Sequence, residues 1–404
     1  MQSFAHEQTS LHAVALLASH WALEVPMSRR GRSKQSESSI PFAVGFRRPT
    51  SEDCIKATGF TGTPPQEYQV GDDFFCPIPA PTSIDDWLAQ YKETGQSYQC
   101  FFRENPWFSQ RKRKFIRQTF IGKGKDIREK YPDGKIYLLP LGDFSDDISP
   151  SFDRLVEYSS KFFNIPVVTL PTVQLVREDG HVRWLECVES SKSMTSMTSP
   201  PSKRRKVLKS KGCRLRCRIS EDGDHMQLQV NSILTQLKQV IPDDALCLVA
   251  LTMTDLYDEA PDLFVAGMAA GQHRVAVFSF CRYDPSISFS SEFWYELSHS
   301  KKISKGKRQK LMLQRSCRLL VHETAHLLGV DHCVYYSCCM NGSGHLAEDF
   351  RQSMHLCPVD LRKLCHLCGF NISQRYKNLL QFFKDNDLKE EAEWIARRLK
   401  FITQ

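Results

Sequence analysis

Nowhere in its 404 residues does the chain hold a run of about 18 consecutive apolar residues, the length a bilayer-crossing helix needs, so no membrane span is expected. An export signal is not expected either, because the N-terminal apolar stretch is a poor one. The apolar stretch HAVALLASHWALEV (12–25) carries two histidines, and MQSFAHEQTS before it has no basic residue. The expected location is therefore cytoplasmic and/or nuclear, not secreted. No internal repeat is visible, so a repeat array is not expected.

An evenly spread positive charge is also lacking. The formal net charge of +8 comes largely from two runs, RKRKFIR (111–117) and SKRRKVLKSKGCRLRCR (202–218), and the body between them is close to neutral. The first run lacks the interleaved aromatics of a nucleic-acid surface and reads as an exposed helix face, so a nucleic-acid partner is not expected. Within PPSKRRKV (200–207), the basic run 203–206 resembles a short import signal, for which an import receptor would be the partner. The plainer reading is a solvated charge run.

What is present suits a globular protein: 41% hydrophobic and 25% charged residues can bury a real core. Residues 1–65 include the polar SRRGRSKQSESS and are expected to form a loosely ordered arm. A domain over 66–380 follows, with an exposed Ser-, Pro- and Lys-rich insertion at 189–212, and then a C-terminal helix over 381–404. Strands are predicted at 135–144, 166–176, 245–257 and 274–283, and helices at 84–92, 151–163, 227–241 and 308–329, with two amphipathic helices within 375–402. The alternation predicts an α/β (α+β) architecture with a mixed twisted sheet.

The informative stretch is HETAHLLGVDHC (322–333). Residues four apart stack on one helix face, so His322 and His326 converge on one point, as two imidazoles must to bind zinc at about 2.0–2.1 Å. Glu323, rotated by about 100°, lies near the metal without ligating it and is the candidate general base. Gly329 falls where a helix can end in a left-handed turn, which lets the chain return His332 as a third ligand. Three ligands leave a position for water, whose pKa zinc lowers. Met340 follows where a Met-containing turn can underlie the metal. A purely structural histidine cluster would not need the glutamate, the glycine and the third histidine at these offsets.

The chain has 15 cysteines, an odd number, and six of them (Cys333, Cys338, Cys339, Cys357, Cys365 and Cys368) crowd the C-terminal quarter beside these histidines. Without an export signal, that clustering favours thiolates on metal over disulfides.

Together these residues resemble the metzincins, and more closely the archaemetzincin (archaelysin) family of zinc metallopeptidases. The likeness extends upstream through PIPAPTSIDDWLAQY, IYLLPLGDF and LVALTMTDLY, covering roughly residues 70 to 380. It implies a metzincin-like fold with an active-site helix and a C-terminal subdomain containing a Met-turn at Met340. It also implies catalytic zinc on His322, His326 and His332, with Glu323 as base, and a second, structural zinc on Cys333, Cys338 and Cys357.

The family ends its cysteine set with Cys-x-x-Cys, whereas this chain has Asp360 at the final position. Asp360 is the favoured fourth ligand, since zinc accepts carboxylate oxygen. Cys365 or Cys368 after rearrangement, or a weakened site, are the alternatives; on a helix Cys365 would lie about 7.5 Å along the axis from Asp360. Cys339 reads as a buried thiol. The implied activity is hydrolysis of peptide or protein substrates by water activated on zinc. The alternative is a catalytically silent, zinc-stabilised interaction module.

Overall fold

The structure, a computed structural model, describes residues 45–404 apart from 72–73, 111–115, 145–146, 186–211, 221–224, 261, 290–296 and 301. The basic run 203–206, nearly all of the insertion, and most of RKRKFIR lie outside the described residues, as do residues 1–44.

The chain first forms α1 (Ser51–Thr58), α2 (Trp87–Gln90), α3 (Tyr98–Glu104) and α4 (Ile127–Lys130). Next come β1 (Lys135–Leu141), α5 (Phe152–Phe163), β2 (Val167–Thr169), β3 (Gln174–Glu178), β4 (His181–Leu185), β5 (Cys213–Ile219), β6 (Met226–Gln229) and α6 (Val230–Val240). They are followed by β7 (Ala245–Thr252), β8 (Asp255–Tyr257), β9 (Gly267–Ala270), β10 (Val275–Ser279), β11 (Ile287–Phe289) and β12 (Leu297–Ser300). Helices α7 (Lys305–Leu327), α8 (Leu346–Asp349), α9 (Pro358–Cys368), α10 (Ile372–Asp385) and α11 (Lys389–Thr403) complete it.

The architecture is mixed α/β, built on two five-stranded sheets and a hairpin. The first sheet has the order β2-β1-β7-β10-β9, parallel except for β9 at its edge. Its central strand β7, ALCLVALT, is buried at every position, as a strand covered on both faces must be. Alternate residues serve two cores. Cys247, Val249 and Leu251 face the helical side with α5 and α7, while Leu248 and Ala250 face α6 and the second sheet. The second sheet, β3-β4-β5-β6-β8, is an antiparallel meander closed by β8 running parallel to β6. Among the described residues no helix is long and apolar enough to cross a membrane.

Three sequence expectations are corrected. The arm expected over 1–65 contains α1, which Thr50 and Asp53 start with a reciprocal capping box and Gly59 ends at φ 75°. Cys54 and Ala57 on its inner face are buried, and the helix packs on α9 and α3. The helix expected from 227 begins instead at Val230. Residues 226–229 pair with β5 and β8, and the carboxamide of fully buried Gln227 donates to Asp255 and to the carbonyl of Leu263. Sheet pairing and side-chain satisfaction outweigh the helical periodicity there. The boundary expected at 381 falls inside α10, whose Phe382 and Phe383 are fully buried beside Tyr158 of α5.

Helix α7 positions the site. From Ser316 onward its residues are buried, and it packs against α5 and β7. Its end is tightly fixed. The amide of Gly329 donates to the carbonyl of His326 and that of Val330 to the carbonyl of Ala325, with Gly329 at φ 85°. The carbonyls of Leu327 and Leu328 accept from Trp107 Nε1 at 3.1 Å and Asn105 Nδ2 at 2.8 Å. A Cβ at position 329 would come within 2.7 Å of that Asn105 amide, so both the backbone angle and the space there require glycine.

Candidate metal centre

The 3.6-residue period of α7 places His322 above His326, with ring centroids 4.6 Å apart, and the turn at Gly329 returns His332 to 5.5 and 4.8 Å from them. One ring nitrogen of each lies within 4.8 Å of the other two. All three side chains are buried.

The other nitrogen of each ring decides the tautomer. His322 Nδ1 lies 2.7 Å from the carbonyl of Cys339, His326 Nδ1 2.6 Å from the carbonyl of Val330, and His332 Nδ1 2.8 Å from Glu93 Oε1. Each acceptor requires the proton on Nδ1, which leaves Nε2 as a bare lone pair. His322 Nε2 and His326 Nε2 then face each other at 2.9 Å, and His332 Nε2 has no hydrogen-bond partner. Two imidazole lone pairs that face each other repel, and a cation between them resolves the conflict. Burial and the neighbouring His332 push the His322 pKa down to about 3, and burial with His322 and His332 holds that of His326 well below the ordinary imidazole value, so both rings are neutral donors.

Glu323 is also buried, and its Oε1 has no hydrogen-bond partner among the described residues. Burial, with Asp349 nearby, raises its pKa well above the ordinary carboxylate range. A dication at the imidazoles would act in the opposite direction and favour the carboxylate.

The second cluster starts one residue after His332. Cys333, Cys338, Cys357 and Asp360 bring three sulfurs and a carboxylate oxygen within 4.8 Å of one another, all buried. Cys333 Sγ and Cys357 Sγ are 3.6 Å apart, and Asp360 Oδ2 is 3.2 Å from Cys338 Sγ and 3.4 Å from Cys357 Sγ. Pro358 opens α9 directly after Cys357, which puts Asp360 in the first turn facing the sulfurs. Cys365 is directed instead at the carbonyl of Phe370, at 3.3 Å, and Cys368 is buried outside the cluster. Cys339 is buried with its thiol pushed up to about 12, and it is its carbonyl that meets His322.

Lys363, fully buried, donates to Asp360 Oδ1 at 2.8 Å. Burial, with Cys333 alongside, pushes the Asp360 carboxyl up to about 6 against the pull of that lysine. Burial opposes charge on Lys363, but Asp360 prevails and its pKa is raised.

One segment ties the clusters together. The amide of Cys333 donates to the carbonyl of Met340 at 2.7 Å, and Asn341 accepts from the Cys338 amide while donating to the carbonyls of Cys333 and Tyr336. Met340 is fully buried within this knot.

A third group, Asp86, His345 and Glu348, is better explained as a pin. Asp86 accepts from Thr82 and Ser83 and pairs with His345, while Glu348 accepts from the amides of Trp87 and Gly344. A metal there would have to displace these bonds.

The sequence reading did not single out Glu93, Gln96, Asn105, Trp107, Asn341 or Lys363. The first four reach the α7 turn from more than 200 residues away, where no local pattern marks them. Lys363 stands three residues after Asp360, a spacing that marks a helical ion pair.

No protein-family model matches the chain. Among curated proteins, rat Archaemetzincin-2 is 36% identical over 190 residues, covering 43% of this chain and 52% of the relative. Human Archaemetzincin-2 is 36% identical over 185 residues, 42% of this chain and 49% of its own length. Human Archaemetzincin-1 is 34% identical over 179 residues, 41% and 36% of the two chains. The matched region thus spans about half or less of these relatives. A crystal structure of archaemetzincin from Methanopyrus kandleri aligns at 20% identity over 57% of this chain and 94% of its own, with a TM-score of 0.34, too loose to bear on the argument.

Proposed function

We propose that the chain belongs, over the matched region, to the archaemetzincin family and is a zinc metallopeptidase acting on peptide or protein substrates. The observation that carries the reading is the convergence of three buried Nε2 lone pairs, each fixed by a partner at Nδ1, beside a buried glutamate. Zinc held there would supply a Lewis acid that polarises a carbonyl and lowers the pKa of water.

The protein's own groups supply the rest. His322, His326 and His332 present Nε2 and keep their protons on Nδ1. Glu323 takes a proton from water at its carboxylate, whose Oε1 has no protein partner, and delivers it to the departing amine nitrogen. Met340 acts as the Met-turn beneath the histidines. Cys333, Cys338, Cys357 and Asp360 hold a second, structural zinc, and a closed set of four donors suits that role.

The test is cleavage of a diverse peptide mixture by the zinc-loaded full chain, read by mass spectrometry, with Glu323→Ala in parallel. Products from the parent alone, with zinc content equal in both, support the enzyme and the role of Glu323. Equal cleavage by the variant would remove Glu323 from the mechanism. Two inert proteins that both hold zinc would favour a zinc-stabilised interaction module.

A further inference from the structure

We infer that Glu93 is a positioning residue for the third histidine, a carboxylate supplied by the N-terminal half of the domain that sets how tightly the histidine cluster holds its metal. The inference rests on the zinc reading above. Of the three histidines, only His332 gives its Nδ1 proton to a charged acceptor; His322 and His326 use main-chain carbonyls from their own neighbourhood. Glu93 Oε1 lies 2.8 Å from that nitrogen, and its Oε2 is buried with no hydrogen-bond partner among the described residues.

The surrounding chain holds Glu93 in place. Gly95, at φ 71°, turns the backbone where a Cβ would come within 2.5 Å of Val334 Cγ2. That turn sets Gln96 against the loop after α7, where its Nε2 donates to the carbonyl of Gly329 at 3.2 Å and to Asp331 Oδ2 at 2.9 Å. On the other side, Trp87 stacks on Tyr91 at 4.1 Å and meets the His332 ring edge-on at 4.9 Å. The stretch from 87 to 96 therefore grips the ring by its edge, its Nδ1 and its own loop. The α7 turn alone sets where the His332 backbone goes; this stretch sets where its lone pair points.

Carboxylate pairing of this kind fixes the tautomer, orients the ring and makes the ligand nitrogen more basic. The measure is zinc retention in the full chain, by metal content against rising chelator, for the parent, Glu93→Gln, Glu93→Ala and His326→Ala. Glu93→Gln keeps the shape and an acceptor but removes the charge; Glu93→Ala removes both.

The expected result is that the zinc whose presence depends on His326 is released at roughly 10- to 100-fold lower chelator from Glu93→Ala. Glu93→Gln should fall between, and the cysteine-cluster zinc should be unmoved in both. In the zinc-loaded protein, one downfield ring N–H proton resonance should shift in Glu93→Gln and disappear or shift further in Glu93→Ala. A purely structural contact would lower the melting temperature but leave the release curve and the ring resonances alone, and that outcome overturns the inference. Parent and His326→Ala chains with equal zinc content would overturn the metallopeptidase reading, and this proposal with it.

Discussion

The histidine and cysteine clusters meet at a single peptide bond, between His332 and Cys333, yet they solve the problem of burying polar groups in opposite ways. The first gathers imidazole donors, fixes each through its far nitrogen, and keeps one carboxylate close by with an oxygen that has no partner among the described residues. The second gathers acidic groups around one another and places a fully buried lysine behind them. Three imidazole donors leave a metal with a position to fill; four donors, three of them sulfur, enclose it. The difference suggests that the first cluster is a working site laid over a fold that would stand without it, while the second is part of what holds the C-terminal segment together.

The sharpest way to break that comparison is to remove a ligand from each side. Cys338→Ser should destabilise the protein severely, because structural zinc contributes about 10–16 kcal/mol in small zinc-bound modules, comparable to the whole stability of a typical domain. His326→Ala should leave the melting temperature within a few degrees of the parent, roughly 1 kcal/mol. Thermal melts of the two zinc-loaded variants decide it, and equal losses would mean that both clusters are structural.

Lys363 offers the next largest effect. Replacing it with methionine leaves the Asp360 carboxylate buried without its cation, and breaking a buried pair in this way costs about 3–5 kcal/mol. The loss should be greater in chelator-treated protein than in zinc-loaded protein, since bound zinc gives Asp360 a second positive partner. Denaturant titrations with and without chelator measure this. If the loss is the same in both, zinc does not reach Asp360.

Gly329→Ala probes the turn inside the histidine cluster. It forces a left-handed backbone angle on a residue with a Cβ and pushes that Cβ against Asn105, for an expected cost of about 1–3 kcal/mol. Because the turn delivers His332, zinc should be lost from the histidine cluster before the cysteine cluster. A variant that melts lower yet releases both zincs at the parental chelator concentration would separate the turn from the site.

What the sequence made legible follows from distance along the chain. His322, His326, Gly329 and His332 lie within one helix and its end, so a helical period and a glycine angle suffice to bring them together. Four strands of the first sheet, β1, β2, β7 and β10, were likewise marked by local apolar runs such as ALCLVALT, whereas the edge strand β9, GMAA, has no such run. Glu93, Asn105 and Trp107 act across more than 200 residues, and no local rule brings them to the α7 turn. Two misses were local. The Thr50–Asp53 capping box was in plain sight before α1, and the helical period over 227–241 concealed a strand whose reason, the bond from Gln227 to Asp255, lies 28 residues on.

The smallest expected effect asks the finest question, whether donor number or donor identity makes the second cluster what it is. Asp360→Cys supplies a fourth sulfur where the family's pattern places one. If number is what matters, the variant should hold zinc as firmly as the parent and change stability by no more than about 1 kcal/mol, while its cobalt-substituted form gains sulfur charge-transfer absorption. The carboxylate, however, uses both oxygens: Oδ2 faces Cys338 and Cys357, and Oδ1 takes the proton of Lys363. A thiolate in its place can face the metal but has no second atom for the lysine. Weaker zinc in Asp360→Cys, restored by adding Lys363→Met, would therefore show that carboxylate and lysine act as one unit, and that the cysteine cluster of this chain depends on the identity of its fourth donor as well as on their number.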